Sequence, residues 1–162
     1  VARLLAHAEV VLCATPAYLR KHAVDKPIDK PEDLLQHTVL VPESAFERKV
    51  WLFHSDGENG QRETATVLPQ RAAISSPNAS VLIAAARGDC GIAGALSLNV
   101  AADLRDGSLQ RVLPQWFAAR YCVYAAVPSR SHLPRRTRAF IDFLVEQFGG
   151  RPEDPWLAGK PV

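Results

Sequence analysis

Ser75-Ser76-Pro77-Asn78-Ala79-Ser80-Val81-Leu82-Ile83-Ala84-Ala85-Ala86-Arg87-Gly88, followed by Gly91-Ile92-Ala93-Gly94-Ala95-Leu96, holds a strand end, a helix and a second strand in one run. Val81, Leu82, Ala85 and Ala86 recur at helical spacing up to Gly88, and the apolar run to Leu96 has strand length. Ser75, Ser76 and Asn78 therefore stand where a strand ends and a helix begins. The first N–H groups of such a helix lack partners of their own, which suits a crevice that takes a small anion or polar ligand. Ser and Asn are equally at home there as helix caps, so the pattern has a purely structural reading too. No nucleophile with its base and no acid–base pair accompanies it. The expectation is recognition without chemistry: no enzyme and no cofactor.

Elements of both kinds alternate around this run. Val10-Val11-Leu12-Cys13-Ala14 is a continuous apolar segment suited to a central strand, and it ends at Thr15-Pro16. Thr15 reads as the N-cap of a short helix over Pro16 to His22, with proline at its first position. Further helices are expected from Pro31, from a cap at Ser97 to Gly107, and from Pro134 to Phe148, where Gly149-Gly150 stops the chain. Strands are expected near 39–41, 50–53, 64–68, 72–74, 91–96, 109–113 and 121–127. The alternation indicates an α/β architecture with parallel pairing. Residues 151–162, with Pro152, Pro155 and Pro161, read as a flexible tail in which Trp156-Leu157 offer a docking point.

Charge and composition remove several classes. Nineteen Lys+Arg against seventeen Asp+Glu leave a net charge of +2, too balanced for an electrostatic grip on nucleic acid. The longest apolar runs fall well short of the roughly 20 residues of a membrane span. Val1 to Ala14 carries Arg3, His7 and Glu9 and lacks the clean apolar region of a signal peptide, so a cytoplasmic protein is expected. Cys13, Cys90 and Cys122 lie far apart in apolar runs; Cys13 and Cys122 read as buried thiols, and Cys90 as a candidate for ligand contact or redox sensitivity. The five histidines share no metal-ligand spacing and read as surface residues. Arg130, Arg135, Arg136 and Arg138 read as a solvated face at the start of the last helix, and Trp51 and Phe53 as core.

Several short stretches, in order and at constant spacing, resemble the effector-binding domain of LysR-type transcriptional regulators. They are Leu12-Cys13-Ala14-Thr15-Pro16-Ala17-Tyr18-Leu19; Lys30-Pro31-Glu32-Asp33-Leu34-Leu35-Gln36-His37; Trp51-Leu52-Phe53; and Asn78 with Gly91-Ile92-Ala93. Asp103-Leu104 to Gly107, Leu109 to Leu113 with Pro114 and Trp116, Val127-Pro128-Ser129-Arg130, and Arg138-Ala139-Phe140-Ile141-Asp142-Phe143-Leu144 complete the match. The resemblance implies an α/β, periplasmic-binding-protein-like (type 2) fold of two lobes with a small effector between them. It places hinges at Ala14-Thr15 and Val127-Pro128. Lobe II is expected complete over 15–127, and lobe I only in part, as 1–14 and 128–150. The winged helix-turn-helix, its linker helix and the opening units of lobe I are expected to be missing before Val1, so DNA would be reached only through that segment.

The same resemblance implies a homodimer or homotetramer, no membrane association, and an organic, aromatic or amino acid as effector. Thr15, Ser44, Ser75, Ser76, Asn78, Cys90 and Ile92 are the candidate effector-binding residues. Two departures from the family pattern stand out. Lys30 occupies a position that is often Ser or Thr, which leaves Asp29 as the expected cap, and Asp89 replaces a common glycine, bringing a carboxylate that would discourage an anionic effector. A solute-binding module of a transport system, on the same bilobal fold, is the competing reading.

Overall fold

The apolar run Val10–Ala14 becomes the buried centre of a sheet: Val11, Leu12, Cys13 and Ala14 are each 0% exposed. The computed structural model describes residues 2–43, 51–56, 62–67, 72–127, 134–148 and 153–157. In chain order these form β1 (Ala2–Ala14), α1 (Pro16–His22), a 3-10 turn (Pro31–Gln36), β2 (Val39–Pro42), β3 (Trp51–Ser55), β4 (Glu63–Val67), β5 (Ala72–Ser76), α2 (Ala79–Arg87), β6 (Ile92–Leu96), α3 (Ser97–Asp106), β7 (Gln110–Val112), β8 (Ala119–Ala126) and α4 (Arg135–Phe148).

Two compact units emerge, residues 10–119 and residues 1–9 with 120–162. The chain crosses between them inside β1 and at the start of β8, ahead of the hinges expected at Ala14-Thr15 and Val127. The reason is that β1 begins at Ala2, well before its apolar run: Leu5, Ala6 and Ala8 are buried while Arg3 and Glu9 meet ion partners, so polar residues do not interrupt the strand. Pro128 lies outside the described residues.

In the larger unit the strand order is β5-β2-β6-β1-β7. Strand β2 runs parallel to β5 and β6, as the alternation predicts. Strand β1 does not: it is antiparallel to both β6 and β7, with Leu12 opposite Gly94 on one side and Val112 on the other. Pairing direction is set by distant partners, and nothing in an apolar pentapeptide specifies it. Helix α2 packs on β2, β5 and β6, and α3 on β6 and β7. The β3–β4 hairpin adds Phe53, Ala65 and Val67 to a core shared with Leu12, Leu34, Val41 and Ile92. Truncating a buried leucine such as Leu12 in such a core costs about 2–5 kcal/mol.

The smaller unit pairs β8 with β1 and carries α4. No residue of α4 is buried, and Phe140 and Phe143 are exposed. The described part of the tail is docked, at the point Trp156 offered: its ring stands 5.7 Å from that of Phe148, and the buried Asp154 carboxylate accepts the Glu9 N–H at 2.7 Å. A flexible tail is thus corrected over 153–157.

Smaller corrections follow from local hydrogen bonding. Cys122 is exposed on β8, not buried. His37 is buried, because its Nε2 reaches the Lys26 carbonyl at 2.8 Å. Ser97 is the first residue of α3 and not its cap; Leu96 holds the cap position, and the buried Ser97 Oγ has no hydrogen-bond partner. At the 3-10 turn it is Asp33, not Asp29, that satisfies the entry: its carboxylate accepts the N–H groups of Asp29 and Lys30, both at 3.0 Å.

Candidate functional site

The sheet of the larger unit has two ends, and the candidate residues divide between them. At the carboxyl ends of β2, β5 and β6, Ser75 lies opposite Val41 and Ser76 opposite Pro42, while Leu96 lies opposite Val10 on β1. Helix α2 starts at this end. Asn78, with extended backbone, accepts the Ser80 N–H on its side-chain oxygen at 2.9 Å and the Val81 N–H on its carbonyl at 3.1 Å. Ser76 Oγ accepts the Asn78 N–H at 3.1 Å, which closes the turn through Pro77. The cap expected of Asn78 is therefore real. It uses only Oδ1, so the two Nδ2 donors are not needed for it. Ser75 and Asn78 are exposed and Ser76 half-buried, so three short polar side chains face solvent beside the first turn of a helix.

Thr15, Cys90 and Ile92 do not join them. Antiparallel pairing sends the end of β1 to the opposite edge, where Ala14 pairs with Gln110 and Cys13 with Ala93. Ile92 opens β6 at that same edge, and Cys90 precedes it. Along the strand axis Ile92 is about 10 Å from the level of Ser76, and Thr15 lies further still. This corrects the single cradle expected from the sequence. The start of β6 was legible as the wrong end even with every strand parallel; the placement of Thr15 was not. Ser44 lies outside the described residues.

The distal edge is a closed polar network. Thr15 Oγ1 accepts the Tyr18 N–H at 3.1 Å, capping α1, and donates to the Asp89 carboxylate. Asp89 sits at φ 60°, which explains why glycine suits this position. Tyr18 Oη accepts the Thr38 N–H at 3.1 Å, and the Thr38 carbonyl accepts from Ile92 at 3.0 Å. Gly91, at φ +155°, passes so close that a Cβ would stand 2.6 Å from that carbonyl oxygen. Cys90 is exposed here, its thiol 3.5 Å from the Gly88 carbonyl oxygen.

Charge is likewise spent on structure at the ends of the helices. Arg87 closes α2 and donates two hydrogen bonds, of 2.9 and 2.8 Å, to the Asp103 carboxylate on α3. That guanidinium holds the Asp103 carboxyl below the usual carboxylate range against the opposing effect of burial, and Asp103 holds Arg87 above its own. Burial, with the Asp103 charge adding to it, pushes the Cys13 thiol up to about 12, so Cys13 is a protonated core residue and no nucleophile. Among the described residues no group of His, Cys, Asp and Glu side chains could hold a metal ion, and no helix is long and apolar enough to cross a membrane.

Sequence reading missed Ser97. Its buried, unpartnered hydroxyl follows β6 at the carboxyl edge, the same edge as Ser75, Ser76 and Asn78. A serine directly after an apolar strand resembles a cap, and only the fold shows that the hydroxyl is left over.

The LysR substrate binding domain family matches residues 1–149. An HTH-type transcriptional repressor of Pseudomonas aeruginosa is 31% identical over 153 residues, covering 94% of this chain and 46% of that protein. The HTH-type transcriptional regulator PtxR of the same species is 32% identical over 142 residues, covering 88% of this chain and 43% of that protein. The chain thus spans less than half the length of these relatives. Among solved structures, the regulatory domain of AphB from Vibrio vulnificus superposes with a TM-score of 0.71 at 25% identity, covering 91% of this chain and 68% of that one. The CrgA regulatory domain of Neisseria meningitidis gives 0.66 at 25% identity, with 92% and 69% covered. With this fold, α/β and periplasmic-binding-protein-like, and with relatives that are transcriptional regulators and not enzymes, the chain belongs to the LysR substrate-binding-domain family.

Proposed function

We propose that this domain is the effector sensor of a LysR-type regulator that acts in the cytoplasm as a homodimer or homotetramer. A small metabolite is held at the carboxyl edge of the larger unit, in a cleft between two lobes, and its binding changes the affinity of a separate segment of the full-length protein for DNA. Binding does this only through differential affinity for two states of the domain. One observation carries the reading: Ser75, Ser76 and Asn78 present exposed polar groups beside the first turn of α2, at the edge where β1 enters the unit at Val10.

The ligand class favoured is a small carboxylate. Short hydroxyl and amide donors beside a helix N-terminus suit an anion. The Asp89 carboxylate, expected to oppose one, is engaged with Thr15 at the other edge. The family match runs to transcriptional regulators, which leaves the transport-module reading without support.

Thermal midpoints measured across a panel of organic, aromatic and amino acids, each beside its uncharged amide, test the reading. A ligand at 100 times its Kd adds about 2.7 kcal/mol to stability. The expected result is a raised midpoint with at least one carboxylate and none with its amide, and altered DNA affinity of the full-length protein with that compound. A panel without effect, or one in which the amides act equally, contradicts the proposal.

A further inference from the structure

Both passages of the chain between the two units carry one member of a single ion pair. Glu9 is the last residue of β1 inside the smaller unit, and Arg120 is the first residue of the returning strand β8 inside it. Arg120 donates to the Glu9 carboxylate from Nε at 3.1 Å and from Nη2 at 2.6 Å, and their side chains are 29% and 14% exposed. Next to this pair, inside the larger unit, the Ala118 N–H just ahead of β8 meets the Val10 carbonyl of β1 at 2.8 Å. That bond runs between main chains and involves no side chain. The side-chain pair is the adjustable tie.

A third member comes from the far end of the chain. Asp154 is 8% exposed, and its carboxylate accepts the Glu9 N–H at 2.7 Å and the Trp156 N–H at 2.9 Å. The Trp156 ring, 5.7 Å from that of Phe148 at the end of α4, anchors the segment. A buried carboxylate needs such donors, and a strand N–H needs such an acceptor, so each would be costly to leave alone. The tail therefore reaches back to the crossing residue itself.

We infer that Glu9, Arg120 and Asp154 form a clasp on the two chain crossings, and that these positioning residues set how freely the two units reorient. The inference rests on the reading of the units as lobes whose relative angle carries the effector signal. Arg120 holds the two crossing strands in register through Glu9, and Asp154 couples that register to the docked tail. The clasp makes the segment around Asp154 part of the hinge.

The test reads inter-unit distances in the full chain without ligand, so it stands or falls apart from effector binding. Spin labels at Lys21→Cys on α1 and Arg138→Cys on α4, with exposed Cys90 and Cys122 changed to Ser, place one label on each unit. Asp154→Ala and Arg120→Gln are expected to broaden the distance distribution about two-fold, with the double variant little broader than either. Asp154→Asn keeps an acceptor oxygen and is expected to restore most of the width. Arg3→Gln, which breaks the exposed Arg3–Asp142 pair elsewhere in the smaller unit, is expected to change nothing. Distributions as narrow as the parent's in Arg120→Gln and in folded Asp154→Ala overturn the clasp, and so does equal broadening by Arg3→Gln. Should Asp154→Ala not fold, Arg120→Gln decides. A clasp that passes this test while no panel compound shifts the distances would sink the sensor reading alone.

Discussion

The two edges of the sheet in the larger unit hold similar polar residues and put them to opposite use. At the distal edge Thr15, Tyr18, Thr38 and Asp89 bond to one another, and Arg87 is locked on Asp103. At the carboxyl edge Ser76 and Asn78 close one turn and, with Ser75, remain at the surface. A polar side chain whose partners are internal maintains the fold, whereas one that is exposed beside the first turn of a helix is available to a ligand. The difference lies in hydrogen-bond accounting and not in residue type.

The largest expected break in this comparison is Gly91→Ala at the distal edge. The new Cβ meets the Thr38 carbonyl oxygen at 2.6 Å on a backbone at φ +155°, and the cost is about 3 kcal/mol. Denaturant titration should show that loss with ligand affinity unaltered in the fraction that remains folded.

Asp103→Asn comes next, at about 1–2 kcal/mol near neutral pH, toward the lower side because Arg87 is 51% exposed. Its pH dependence has a definite sign. The folded-state pKa of Asp103 lies below its ordinary value, so its contribution is present above the unfolded carboxylate pKa and is lost as pH falls through the folded one. Stability curves of parent and variant should therefore converge below about pH 4.

Thr15→Ala removes a cap and the Asp89 partner together and should cost about 1 kcal/mol. Its readout is a lowered thermal midpoint with unchanged ligand affinity. The smallest effect on stability belongs to Ser76→Ala, a few tenths of a kcal/mol, because the bond it loses lies at the surface. That variant sharpens the comparison, since its effect should appear in ligand affinity.

Local chemistry made much of this legible. Thr15-Pro16 marked a helix start, Asn78 marked another, and Gly107 marked a helix end that the structure shows at φ 80°. These signals act within a few residues. The direction of β1, the burial of His37 and the division at residues 9 and 119 depend on partners far away in sequence, and so did the edge on which Thr15 lies. The family resemblance supplied the architecture. It could not sort the candidate residues, because the motif that ends β1 and the motif that ends β5 read alike until their strands are given opposite directions.

The most direct test of this account sets ligand affinity beside thermal midpoint for Ser76→Ala, Asn78→Ala and Thr15→Ala in the full-length protein, using the panel compound that raises the midpoint. Ser76→Ala and Asn78→Ala should weaken affinity by about 0.5–1.5 kcal/mol, or up to about 3 against a carboxylate. Asn78→Ala should also lose roughly 1 kcal/mol of stability as a cap, and Thr15→Ala should lose stability alone. Unchanged affinity in both carboxyl-edge variants, or a loss of affinity in Thr15→Ala, would contradict the assignment of recognition to the carboxyl edge.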